Sequence, residues 1–297
     1  MITVAFHKQD GIALGVKTEK GILDVRAAAS QHPAEWSHVP LSVEALIAGG
    51  AEAKQLLARL TDAVYEQESL FYQEEELTLA PTVPTPSKVI CVGLNYKKHA
   101  DECNMAYPAT PVLFSKFSNA LAGHQEDVPL PATSEKVDYE AELVIVIGKQ
   151  ARNVSKEDAL SYVYGYCNAN DVSARDLQFT SSQWLLGKSC DKFCPIGPYL
   201  VSADEVGDPD QLQIRTFVNG EMRQNSNTSD MIFSCPEIIS YISHHMTLNP
   251  GDVILTGTPE GVITGYPVDQ QVWLKDNDVV TVEIEQLGRL TNTFRNA

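Results

Sequence analysis

The chain has 297 residues, 43% of them hydrophobic and 21% charged, an ordinary composition for a soluble protein with length enough for a large core. Its formal net charge of −17 excludes nucleic acid and anionic membrane surfaces as partners, since both require basic patches. The same excess works against an anionic substrate unless a local cation or metal offsets it.

Three short strands are expected first, at Ile2–Phe6, Ile12–Val16 and Gly21–Val25, separated by polar or glycine turns. Ser42 is a cap for a short helix through Ile47 that Gly49-Gly50 ends. Ala53, Leu56, Leu57, Leu60 and Val64 recur at helical spacing and predict an amphipathic helix over about 51–67. This part reads as a small α+β domain, residues 1–80, with no cluster of chemically useful side chains. The proline-rich stretch from Pro81 to Ser87 is the expected boundary with a second domain, 81–297.

Beyond the boundary, Lys88–Gly93 reads as a buried strand, and Asn95 as the N-cap of a short helix that places His99 and Glu102 at i, i+3. Val112–Lys116 is another strand. Val137 through Gly148 reads as one continuous strand with an acidic start, on which Glu140 and Glu142 share a face roughly 6–7 Å apart. Two carboxylates so placed repel each other unless a cation lies between them. Taken alone, the pair fits a solvated strand face equally well.

A helix is predicted from Ser155 to about Tyr164, then a strand that ends on Asp171, then a turn or helix carrying Arg175 and Gln178. Lys188 sits between Gly187 and Ser189. A strand at Ile214–Val218, the turn Asn219-Gly220, a helix over about Cys235–Ser243, a strand at Val253–Leu255 and a closing strand at Val279–Glu285 complete the reading. The second part is β-rich and does not alternate strand and helix as a doubly wound sheet does.

The six cysteines form no C-x-x-C pair and no zinc-ligand spacing, and most sit among apolar neighbours as core filler. No secretory signal follows Met1, and no apolar run nears the roughly 20 residues of a membrane span, so a cytoplasmic protein with free thiols is expected.

Glu140, Glu142 and Asp171 together offer three carboxylates without a suitable His or Cys, a donor set for Mg²⁺ or Mn²⁺ rather than zinc. His99 with Glu102 is a base held by a carboxylate.

Over roughly 86–290 the chain resembles the fumarylacetoacetate hydrolase family, in particular its acylpyruvase and oxaloacetate decarboxylase-like members. The resemblance rests on Val92-Gly93-Leu94-Asn95-Tyr96 with His99 and Glu102, on Phe114-Ser115-Lys116, and on Asp138-Tyr139-Glu140-Ala141-Glu142-Leu143. It continues with Asn170 through Asp176, Gly187-Lys188-Ser189, Val218-Asn219-Gly220-Glu221, Met231–Ser234 and Gly251 through Val262. It implies a β-rich α+β fold with a mixed β-sandwich roll, a homodimer, and metal binding by Glu140, Glu142 and Asp171. It further implies a water-activating His99–Glu102 dyad on a lid, a substrate-facing Lys188, and substrate contacts from Arg175, Gln178, Thr258 and Lys116. The implied activity is metal-dependent C–C cleavage of a small 2-oxo acid: hydrolysis of an acylpyruvate or fumarylpyruvate, or decarboxylation of oxaloacetate. A hydratase or isomerase of unsaturated 2-oxo diacids, a diketo-deoxy sugar acid hydrolase, or a non-catalytic metal-binding protein are the alternatives. The chain departs from the family pattern at 179–183 and at 263–273, where substrate choice is most exposed to change.

Overall fold

In the computed structural model, which describes residues 1–297, the chain opens with three antiparallel strands: β1 (Ile2–Lys8), β2 (Gly11–Thr18) and β3 (Gly21–Asp24). Helix α1 (Val25–Gln31) follows where no helix is expected from the sequence; the Asp24 carboxylate caps it by accepting from the Ala27 N–H. Ser42 does start the next helix, but Gly49-Gly50 bends it instead of ending it. Gly50 takes φ +54, a conformation open to a residue without Cβ, and α2 runs Val43–Val64 across that kink. A two-residue strand β4 (Phe71–Tyr72) pairs with β3.

The remaining strands are β5 (Val89–Gly93), β6 (Val112–Lys116), β7 (Leu121–Ala122), β8 (Val128–Leu130), β9 (Val137–Asp138), β10 (Ala141–Ile147), β11 (Val163–Asn170), β12 (Ser173–Ala174), β13 (Cys194–Ser202), β14 (Gln213–Val218), β15 (Glu221–Asn227), β16 (Val253–Leu255), β17 (Val279–Ile284) and β18 (Arg289–Asn296). Between them lie the helices α3 (Lys97–Glu102), α4 (Lys156–Ala159), α5 (Arg175–Gln178), α6 (Leu185–Lys188), α7 (Ala203–Val206) and α8 (Cys235–His245). No helix is long and apolar enough to cross a membrane.

One sheet of eleven strands runs β4-β3-β2-β1-β13-β11-β10-β16-β5-β6, with β7 beside β13; a second runs β15-β14-β17-β18-β8. The opening strands therefore extend the main sheet through the β1–β13 pair. The fold is α+β and strand-rich. Strand β10 is buried along its whole length, which explains its unbroken apolar run. Its alternate residues serve two cores. Val144 and Val146 pack with Leu46, Ile47 and Leu57 of α2, whereas Leu143, Ile145 and Ile147 pack with Ile238, Ile239 and Ile242 of α8 and with Val282 and Ile284 of the second sheet. Each such side chain contributes about 1.5–3 kcal/mol by leaving water.

Two local expectations change. The acidic strand is not continuous: Tyr139 and Glu140 leave the ladder between β9 and β10. The Glu140 N–H donates to the Asn170 side chain at 2.9 Å instead, and its carbonyl accepts from the Asp171 N–H at 2.9 Å. That exchange fixes the start of β10 against the end of β11. Nor is Asn95 the helix cap; Tyr96 holds that place. The Asn95 amide donates to the Phe233 and Thr256 carbonyls at 3.0 and 2.7 Å and accepts from the Phe233 N–H at 2.8 Å, clamping three segments together. A buried amide satisfied on both sides is worth more there than at a helix end.

Candidate active site

The ends of β10 and β11 bring three carboxylates together. Oxygens of Glu140, Glu142 and Asp171 lie within 4.8 Å of one another, and all three side chains are buried. Buried like charges need compensation. Lys188 provides part of it, its ammonium 2.7 Å from Glu140 Oε2 and 2.8 Å from Asp171 Oδ2. The helix bearing it sits tight on α5. A Cβ on Gly187 would meet the Ala174 carbonyl oxygen and the Gln178 nitrogen at 2.5 Å, so only glycine allows this approach.

Arg175 braces the cluster from the other side. Its Nε donates to Asp138 at 2.9 Å, its Nη1 donates to Gln178 Oε1 at 2.9 Å, and its Nη2 stands 2.6 Å from Glu140 Oε1. Burial opposes ionisation of Glu140, but Lys188 and Arg175 outweigh it and hold the carboxyl at about 2. Burial likewise opposes the charge on Lys188, and Asp171 with Glu140 overcomes it, so the ammonium is held above its ordinary range. Glu142 differs. Burial, then Asp171 and Glu140, push its carboxyl well above the usual range against the opposing pull of Lys188, and it accepts a hydrogen bond from the Gly257 N–H at 2.7 Å.

Lys116 also contacts Asp171, and it donates to the Val172 carbonyl at 3.0 Å. Fully buried, it does not line the cleft onto which most of the expected residues open; Asp171 and Glu102 likewise stand behind the wall, against Lys188 and His99. That cleft is walled by His99, Glu140, Glu142, Arg175, Gln178, Lys188 and Thr258, with Leu94, Phe114, Phe179 and Trp184 as its apolar side. Phe179 belongs to the stretch where the sequence departs from the family pattern, and Trp184 directly follows it.

Above the carboxylates, His99 Nδ1 lies 2.8 Å from Glu102 Oε1, and Glu102 Oε2 accepts from the Gly261 N–H at 2.9 Å. Burial alone would depress the imidazole; hydrogen bonds to Cys103 and Glu102 outweigh it and raise His99 to about 9. With Nδ1 engaged, Nε2 is the nitrogen free to serve a ligand. Thr258 Oγ1 accepts from Gln224 at 2.9 Å, which leaves its own proton for the cleft.

Two contributors carry no role in the sequence reading. Asp138 holds Arg175 and also accepts from the N–H groups of Ile263 and Thr264 at 2.9 and 3.1 Å, tying the 263–264 turn to the site. Its position two residues before Glu140 is the signal that could have found it. Gln224 accepts from the Ala141 N–H at 3.0 Å and donates to Thr258, and no local motif marks it.

Residues 88–295 match the family model described as fumarylacetoacetate (FAA) hydrolase C-terminal. The chain belongs to the fumarylacetoacetate hydrolase family. It is 51% identical, over 71% of its own length and 72% of the relative's, to a fumarylacetoacetate hydrolase domain-containing protein 2 homolog of Dictyostelium discoideum. It is 47% identical to a mitochondrial oxaloacetate tautomerase of Xenopus laevis, over 73% of this chain and 68% of the relative. A solved structure of maleylpyruvate hydrolase from Sphingobium sp. SYK-6, in complex with manganese(II) and pyruvate, superposes with a TM-score of 0.79 at 31% identity, covering all of both chains. Like these relatives, this member of the fumarylacetoacetate hydrolase family is an enzyme.

The family's divalent metal fits the residues present. Four buried acids, Asp138, Glu140, Glu142 and Asp171, meet three cations, Lys116, Arg175 and Lys188, and Glu142 is the acid that forms no ion pair. Three converging carboxylate oxygens suit a hard ion that keeps open positions for water and ligand.

Proposed function

We propose that the enzyme acts on a small 2-oxo diacid of the oxaloacetate class, moving a proton between its enol and keto forms beside a Mg²⁺ or Mn²⁺ held by Glu140, Glu142 and Asp171. One observation carries the reading: His99, held by Glu102, opens onto the same cleft as Glu140 and Glu142 of the three-acid cluster. The likeness to oxaloacetate tautomerases supports the choice of reaction. A divalent cation held by Glu140, Glu142 and Asp171 would supply Lewis acidity toward the 2-oxo carboxylate.

The remaining work falls to the protein. At neutral pH His99 is protonated, and its Nε2–H delivers a proton to the substrate carbon as the enol becomes the ketone. Glu102 keeps the imidazole charged and oriented, and Gly261 keeps Glu102 in place. The Thr258 hydroxyl and the Gln178 amide donate to the substrate carboxylate. Lys188 adds positive charge near the keto oxygen. Arg175 donates from Nε to Asp138 and from Nη1 to Gln178 and pairs with Glu140 through Nη2, so it positions Glu140 and Gln178 beside the substrate.

A second reading, hydrolytic C–C cleavage of an acylpyruvate with His99 activating water, is favoured by the likeness to maleylpyruvate hydrolase. Decarboxylation of oxaloacetate would use the same residues without attacking water.

The test is a substrate panel with Mg²⁺ and Mn²⁺: enol-oxaloacetate followed by its ultraviolet absorbance, acylpyruvates, oxaloacetate decarboxylation and unsaturated 2-oxo diacids. Faster enol loss than in buffer, abolished by H99A, supports the first reading. Acylpyruvate cleavage with no effect on the enol would replace it with the second.

A further inference from the structure

A third metal-binding side chain faces the dyad. Cys103 closes α3: Asn104 takes the left-handed conformation at φ +54, its N–H donates to the Asp101 carbonyl at 3.0 Å, and the Met105 N–H reaches the Ala100 carbonyl at 2.9 Å. This paired closure ends the helix and pins Cys103 one turn after His99. Residues at i, i+3 and i+4 share a helix face, so His99, Glu102 and Cys103 stack together. Cys103 Sγ lies 3.9 Å from His99 Nδ1, and Glu102 Oε1 lies 2.8 Å from that same nitrogen.

The donor atoms of all three fall within 4.8 Å of one another. Ligand atoms around a tetrahedral zinc stand about 3.4–3.6 Å apart, given bonds of about 2.0–2.3 Å. The chemistry also separates this trio from the carboxylates below it. Thiolate, imidazole and carboxylate select a borderline-soft ion, whereas three carboxylates select a hard one. His99 and Cys103 both line the cleft, so an ion can reach them from solvent.

We propose that His99, Glu102 and Cys103 form a second metal site, selective for Zn²⁺ and similar thiophilic cations, whose occupation stops turnover. Bonds form from the ion to Cys103 Sγ, to His99 Nδ1 and to one Glu102 oxygen, and water takes the fourth position. Two protons leave for solvent, the thiol proton and the one between His99 and Glu102, so binding strengthens as pH rises. His99 then loses its carboxylate partner and its positive charge, and the Nε2–H that remains belongs to a neutral imidazole too weakly acidic to deliver it. The inhibition rests on the proton-carrying role of His99 proposed above; the binding does not.

Co²⁺ is a visible substitute for Zn²⁺, because a thiolate bound to it gives a sulfur-to-cobalt charge-transfer band in the near ultraviolet. The titration uses the full chain with Mg²⁺ in excess. The band is expected in the wild type, removed by added Zn²⁺, and absent from C103A and C103S, with far-ultraviolet circular dichroism confirming that each variant is folded. Zn²⁺ is expected to inhibit the wild type with a midpoint at least tenfold below that of C103A, since loss of even an outer contact to a metal ligand costs about 10–100-fold in affinity. A folded wild type without the band overturns the proposal, as does equal zinc sensitivity in wild type and C103A, which would place the ion on Glu140, Glu142 and Asp171. If no substrate turns over, the proposed function fails on its own and the band alone decides whether the site exists.

Discussion

Glu142 accepts a hydrogen bond from the Gly257 N–H at 2.7 Å and takes no part in the ion pairs that neutralise Glu140 and Asp171. Gly257 has φ +101, and a Cβ there would meet the Asn95 Cβ at 2.7 Å, so the backbone can offer this N–H only from a glycine. The contact supplies a dipole but not a charge, and the carboxyl stays protonated far above its ordinary range.

Metal-free protein should therefore lose stability as pH rises. The folded chain keeps a proton on Glu142 that the unfolded chain releases above about pH 4.5, and stability falls wherever the folded state holds more protons. His99 adds to the decline between about 6.5 and 9, being raised in the same sense. Mg²⁺ or Mn²⁺ at a hundredfold over its Kd should add about 2.7 kcal/mol and flatten the slope. Thermal melts across about pH 5–8 test this, with E142Q expected to shrink the decline below pH 6.5, to which Asp138 and Asp210, raised by burial, also contribute, and to lose the metal effect. A metal-free wild type with a pH-independent melting temperature in that lower range would contradict the assignment.

His99→Ala should lower kcat by about 10²–10⁴ while 2-oxo acid binding persists. A reaction that uses protonated His99 loses rate as pH passes about 9. Glu102→Gln removes a charge that raises the imidazole, so this limb of the kcat profile should move to lower pH. A limb that stays in place would mean that another group carries the proton.

Lys188→Met and Lys116→Met separate two roles. Each strips a buried carboxylate of a cation and should cost about 3–5 kcal/mol in urea unfolding without metal. Only Lys188 lines the cleft, so only its loss should change KM for the 2-oxo acid. A raised KM in K116M would restore Lys116 as the substrate contact implied by the family resemblance.

Asn95→Ala tests the clamp. A lost N-cap costs about 1 kcal/mol. Losing three buried hydrogen bonds to Phe233 and Thr256 should cost about 2–4 kcal/mol and should also weaken metal binding, because Thr256 precedes the Gly257 that holds Glu142. The urea midpoint and a Mn²⁺ titration read the two effects.

The acid trio was legible because its residues sit at the ends of apolar runs, and apolar runs announce buried strands. The same logic misplaced the backbone at Tyr139-Glu140, since alternation cannot show that a strand is interrupted where the Glu140 N–H donates to the side chain of Asn170, thirty residues away. Asn95 was misread for a related reason. A cap is a local bond and a clamp is a distant one, and both use the same amide. Strands β13 and β18 went unseen: β13 carries two prolines and a glycine, and β18 is polar on one face. Lys116 resembles a substrate ligand in sequence because a lysine that holds an acid and one that holds a ligand differ only in which way the acid faces.

Strand β13 lies between β1 and β11, and β11 delivers Asp171. A shortened protein beginning near residue 88 would cut away β1 and leave β13 with a raw, hydrogen-bond-hungry margin, the kind of surface that recruits other chains. The first strands of the polypeptide thus act as a hem for the part that does the chemistry, and preparations trimmed to the family-matched span should clump.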